Sequence, residues 1–91
     1  MQNTENQINE ALCILQEECA EVTQAVSKIF RFGYDDEYNG ATNRQRLEEE
    51  IGDLLAMIDI LVENSVISDS KLNEARINKK IKLKTWSNIS L

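Results

Sequence analysis

Histidine is missing from this chain, and so is proline. Without histidine there is no imidazole base, no serine–histidine pair and no histidine-ligated metal, so proton and metal chemistry falls to carboxylates. Without proline, and with glycine only at Gly33, Gly40 and Gly52, little punctuates the backbone, which favours long helices over a turn-rich β fold. Aromatic residues are only 5% of the 91 residues, so the grouping of Phe32, Tyr34 and Tyr38 in one short stretch stands out. No leader pattern is legible, and no apolar run is long enough to cross a bilayer. The two cysteines, Cys13 and Cys19, sit on one segment, where six residues of helical rise hold them ~9 Å apart and beyond disulfide reach. A reducing cytoplasm is the expected address.

A hydrophobic content of 42% marks a folded chain, and its length suits a single domain over residues 1–91 with one modest core. So small a core gains from self-association, and an oligomer is expected. The formal charge of −6 is unevenly spread: residues 1–70 hold 15 acids and 4 bases, and residues 71–91 hold 6 bases and 1 acid. An acidic body repels nucleic acid and attracts cations. The basic tail reads as a solvated surface folding back on that body.

Three helices are predicted. Thr4 with Gln7 forms a capping box, and Ile8, Leu12, Leu15, Cys19, Val22, Val26 and Ile29 recur in steps of four and three, giving a helix over 4–30. Residues 31–42 break the pattern with Gly33, Asn39 and Gly40, and read as a loop. A second capping box at Thr42 and Gln45 opens a helix over 43–63, with its seam at Leu47, Ile51, Leu54, Leu55, Ile58, Leu61 and Val62. Ser68 caps a third helix over 69–83, with Ile67 and Leu72 placed as a hydrophobic staple; Leu72, Ala75, Ile77 and Ile81 share no single stripe. A basic tail follows over 84–91.

Two acidic clusters flank the seams, Glu17-Glu18-x-x-Glu21 and Glu48-Glu49-Glu50-x-x-Asp53. At about 100° per residue, Glu18 lies beside the first seam and Glu21 ~60° further round. Glu50 and Asp53 repeat that relation on the second helix. Two helices joined by a loop of this length run most naturally antiparallel, seam against seam. That arrangement brings all four carboxylates to one side. Their mutual repulsion is relieved by a hard divalent cation such as Mg²⁺, which takes oxygen ligands and completes its shell with water and substrate phosphate. Metal-assisted phosphoryl or nucleotidyl chemistry is the expected use, with Glu17 free to orient a water or take its proton.

These residues resemble the MazG-like, all-α nucleotide pyrophosphohydrolases. The likeness rests on Glu17-Glu18-x-x-Glu21, the spacer, and Glu50-x-x-Asp53, with Leu15, Gly52-Asp53-Leu54-Leu55, Lys28 and Arg31-Phe32-Gly33 in support and a fainter echo in Asn78-Lys79-Lys80. The resemblance implies an all-α antiparallel bundle of the four-helix type, completed by oligomerisation as a homodimer or homotetramer. It implies Mg²⁺, with Mn²⁺ as a substitute, held by Glu18, Glu21, Glu50 and Asp53. It further implies hydrolysis of a nucleoside triphosphate between the α and β phosphates, releasing a monophosphate and pyrophosphate.

A triphosphate needs cationic partners besides the metal, and Lys28, Arg31 and Lys79 (with Lys80 beside it) are the candidates. Phe32, Tyr34, Tyr38 and Trp86 are placed to stack on a base or to pack the loop against the bundle. Arg44 and Arg46 read as partners of local acids, and Asp59 lies across the second seam from the metal set. The rival reading is a helical interaction module without chemistry, associating through Leu12, Leu15, Val22, Leu54 and Ile58.

Overall fold

The computed structural model describes residues 2–91 as three helices and a small hairpin. Helix α1 spans Glu5–Phe32, strands β1 and β2 span Glu37–Tyr38 and Ala41–Thr42, and helices α2 and α3 span Asn43–Glu63 and Asp69–Trp86. The all-α class holds, with the hairpin as its one β element among the described residues.

Both predicted capping boxes are closed. The Gln7 amide donates to Thr4 Oγ1 at 3.2 Å and the Thr4 amide to Gln7 Oε1 at 2.8 Å. The Gln45–Thr42 pair repeats this at 3.1 and 2.8 Å. Each box satisfies a backbone donor that the helix itself leaves open. Ser68 caps α3 by accepting from the Lys71 amide. That helix runs three residues past its expected end, as far as Trp86, before Ser87 closes it.

The segment between α1 and α2 is more ordered than a loop. Glu37 pairs with Thr42 and Tyr38 with Ala41 in antiparallel register. Asn39 (φ 53°) and Gly40 (φ 80°) form the two-residue connection. Positive φ at both central residues is the turn that matches strand twist, and Asn-Gly is its preferred sequence. Thr42 serves twice, as the last strand residue and as the cap of α2.

Two polar contacts fix the direction of the helix pair. Asn3, at the start of α1, donates to Asn64 at the end of α2 (3.0 Å). At the other end Asn43 Nδ2 donates to the Gly33 carbonyl at 3.0 Å. The helices are therefore antiparallel. On α1 the covered positions include Ala11, Leu15, Glu18, Val22, Ala25 and Ile29, with Ile8 and Ile14 partly covered as well; on α2 they include Asn43, Leu47, Glu50, Leu54, Ile58 and Leu61. Steps of four and three run through both sets, so Glu18 and Glu50 occupy the packed stripe itself rather than its margin.

Burial within one chain is thin. Among the described residues only Ala11, Ala25, Leu61 and Asn43 are buried. Leu12, Cys19 and Val26, seven residues apart, form a second α1 stripe that stays exposed. Ile51 and Leu55 are exposed on α2, and α3 buries no residue. The molecule measures 42 × 38 × 15 Å with a radius of gyration of 16.1 Å, against about 12 Å for a compact chain of this length. It is a flat body with its apolar surface half covered. No helix among the described residues is long and apolar enough to cross a membrane.

Candidate metal centre

Glu18 from α1 meets Glu50 and Asp53 from α2, and one carboxylate oxygen from each lies within 4.8 Å of the others. Antiparallel packing of the two stripes produces this meeting, with the one-turn spacing of Glu50 and Asp53 supplying the third group. Glu18 and Glu50 are half-buried and Asp53 is exposed.

The electrostatics record the crowding. The Glu18 carboxyl is held above its ordinary value, first by loss of water around it and then by Asp53, Glu21 and Glu17. Glu50 is raised for the same leading reason, followed by repulsion from Glu21, Asp53, Glu18 and Glu49. Glu21 therefore acts on both groups although it stands outside the tight trio. Glu17 is exposed and adds its charge at Glu18. An all-oxygen set with excess negative charge fits a hard divalent cation and offers nothing to a soft one.

Beside the trio lies a cavity of about 230 Å³ whose lining includes Glu21, Lys28, Asn43, Arg46, Glu49 and Glu50. A second cavity, of about 300 Å³, opens under the hairpin between Lys28, Phe32, Asp36, Glu37, Tyr38 and Arg46. Lys28, Asn43 and Arg46 line both.

The remaining candidates divide. Lys28 stands at the junction of the two cavities. Arg31 projects over the Phe32 ring at 5.0 Å from its centroid and lines neither. Lys79 and Lys80 border a different depression, between α2 and α3, with Leu55, Ile58 and Leu72 and with none of the carboxylate trio. Phe32, Tyr34, Tyr38 and Trp86 are all exposed, so none packs the loop into a core. Arg44 pairs with Asp35 at 3.3 Å and lies over the Tyr34 ring, as a partner of local acids would.

Arg46 behaves otherwise. It donates to the Tyr38 carbonyl, and its Nε is buried without a hydrogen-bond partner. The sequence offered one signal for it, since Arg46 precedes Glu50 by four residues and so shares its helix face, but the reading as a partner of local acids did not place it in the site. Asn43 carried no comparable signal, because a polar residue just after a cap ordinarily faces water. Here it is 6% exposed, ties α2 to the end of α1, and floors both cavities.

A family model described as the MazG nucleotide pyrophosphohydrolase domain matches residues 6–84. No curated protein and no solved structure matches the chain. The match runs through all three helices and takes in both acidic clusters and the hairpin between them, so the chain belongs to the MazG nucleotide pyrophosphohydrolase family.

Proposed function

We propose that this protein is a Mg²⁺-dependent hydrolase of nucleoside or deoxynucleoside triphosphates, cleaving between the α and β phosphates to a monophosphate and pyrophosphate. The observation that carries the reading is the carboxylate trio of Glu18, Glu50 and Asp53, joined through Glu50 to a cavity that Glu21, Lys28 and Arg46 also line.

Glu18, Glu50 and Asp53 would hold the cation, with Glu21 completing the set from its edge. A bound Mg²⁺ supplies charge neutralisation for the phosphates and lowers the pKa of a coordinated water, a role Mn²⁺ also fills. Glu17 is assigned to orient the attacking water and accept its proton. The water oxygen bonds to phosphorus as the bridging α–β oxygen departs with the bond electrons. Lys28 is assigned to the phosphate oxygens, with Arg31 nearby at the end of α1. Lys79 reaches substrate only if another subunit presents it, because within one chain it borders a separate depression.

The exposed stripe of Leu12, Cys19 and Val26, the open face of α3 and the flat shape support a homodimer or homotetramer. A bundle of four-helix type would then be completed between chains. The residues give no reason to expect nucleic acid or a membrane as partner, and two free cysteines suit a cytoplasmic address.

The deciding experiment is turnover of a panel of ribo- and deoxynucleoside triphosphates with Mg²⁺, resolving every phosphate product, with Glu50→Gln as control. Monophosphate and pyrophosphate are expected, abolished by chelation and reduced at least ~100-fold in the control, as for loss of a charge-stabilising group. Diphosphate and phosphate would overturn the assigned bond. A folded, Mg²⁺-replete chain that turns over no nucleotide would leave the interaction module as the reading.

A further inference from the structure

The two cavities around Lys28 and Arg46 differ in chemistry along one line. At one end stand the carboxylates of Glu21 and Glu50; in the middle are the two cations; at the far end are the rings of Phe32 and Tyr38 with Asp36 and Glu37. A nucleotide has the same order of parts: a polyanion at one end and a flat apolar base edged with hydrogen-bonding groups at the other.

We infer that the hairpin cavity is the nucleoside end of the substrate site. In this arrangement Arg46 positions the phosphates, and Asp36 and Glu37 select bases that carry an exocyclic amine. The inference rests on the proposed hydrolase reading and adds direction and selectivity to it.

Three observations fix the direction. Asp36 and Glu37 repel a triphosphate from the hairpin end, while Lys28 and Arg46 attract it to the junction. Phe32 and Tyr38 line the hairpin cavity and are 57% and 70% exposed, Phe32 with Arg31 over its ring, and a base stacks on such rings whatever its identity. Arg46 lines both cavities, so its guanidinium stands at their junction, where it can donate charge-assisted hydrogen bonds to phosphate oxygens. Because Arg46 also donates to the Tyr38 carbonyl, the same side chain that meets the phosphates braces the strand carrying the ring.

Selectivity follows from the acids. An ionised carboxylate only accepts hydrogen bonds. It pairs with the amine of cytosine, as carboxylates do with that group in duplex DNA, and meets the 4-carbonyl of uracil with repulsion. Cytosine and uracil match in size and differ only at N3 and the 4-position, so a carboxylate placed at the 4-position edge makes them the discriminating pair.

The test is equilibrium binding, by calorimetry with Mg²⁺, of α,β-methylene CTP, α,β-methylene UTP and inorganic tripolyphosphate. The native chain is expected to hold the cytosine analogue about tenfold tighter than the uracil analogue, since a base site built around a hydrogen bond rejects the base that lacks it. Tyr38→Ala is expected to weaken the cytosine analogue about tenfold by loss of stacking and to leave tripolyphosphate binding as it was. Arg46→Gln is expected to weaken all three probes about tenfold, as loss of a charge-assisted hydrogen bond does. Tyr38 is exposed, so its variant folds even where Arg46→Gln disturbs the hairpin. Equal affinity for the two nucleotide analogues, or a Tyr38→Ala chain that binds the cytosine analogue like the native one, overturns the inference while native turnover leaves the hydrolase reading standing. A native chain that binds none of the probes and turns over no nucleotide overturns both.

Discussion

At the scale of the residue, the informative side chains are those whose surroundings oppose their charge. Glu18 and Glu50 sit on a stripe that should be apolar, and both carboxyls are raised, chiefly by desolvation. A carboxyl whose folded value exceeds its unfolded one favours folding while protonated. That stability is full below the ordinary glutamate value of 4.5 and is lost as pH rises through the higher folded value. The metal-free chain is therefore expected to melt at lower temperature at pH 7 than at pH 5, with Glu50→Gln narrowing the gap. Added Mg²⁺ should raise Tm more at pH 7 than at pH 5, because it binds carboxylates and the raised values of Glu18 and Glu50 leave these two less ionised at the lower pH. Thermal scans at the two pH values, with and without Mg²⁺, check the sign; a metal-free chain that loses stability on going to pH 5 would contradict it. Arg46 is the counterpart among the cations, buried at an atom that has no partner.

At the scale of the element, capping chemistry and turn chemistry set where each piece begins. Thr4 and Thr42 close equivalent boxes, and replacing either by alanine is expected to cost about 1 kcal/mol in a denaturant titration. Their consequences for function should differ. Thr42 also pairs with Glu37 in the hairpin, so Thr42→Ala is expected to weaken nucleotide binding as well, whereas Thr4→Ala should leave it unchanged. Equal binding by the two variants would mean that the hairpin has no part in the site. The same turn marks a limit of reading along the chain. Asn39-Gly40 is the strongest short hairpin signal available, yet strands of two residues carry no alternation to confirm it, and the segment reads as a loop until its pairing is seen.

At the scale of the whole molecule, the question is what covers the apolar surface left open by a hairpin of two helices and an outlying third. In the proposed oligomer the stripe of Leu12, Cys19 and Val26 meets another chain. Leu12→Glu places a charge there, at an exposed position. It is expected to shift the sedimenting species toward the monomer and to lower Tm, since association and folding are linked in so thin a core. A native chain that sediments as a monomer would contradict the assembly. By itself the sequence determined the three helices, their caps, and the acids at Glu18, Glu21, Glu50 and Asp53 on one side of an antiparallel pair. Period, capping and helical phase are local properties, and 3.6 residues per turn carries them along the chain without reference to anything distant. Only the tertiary structure decided which of two overlapping stripes on α1 faces α2, so that Ala11, Glu18 and Ala25 turn inward and Leu12 and Val26 outward. It also decided that Glu18, Glu50 and Asp53 form the tight set with Glu21 at its edge, and that Lys79 lies apart from them. Arg46 and Asn43 entered the site in the same way. Those outcomes depend on the rotation of one helix against another, which small buried alanines permit and which no periodicity in a single segment specifies.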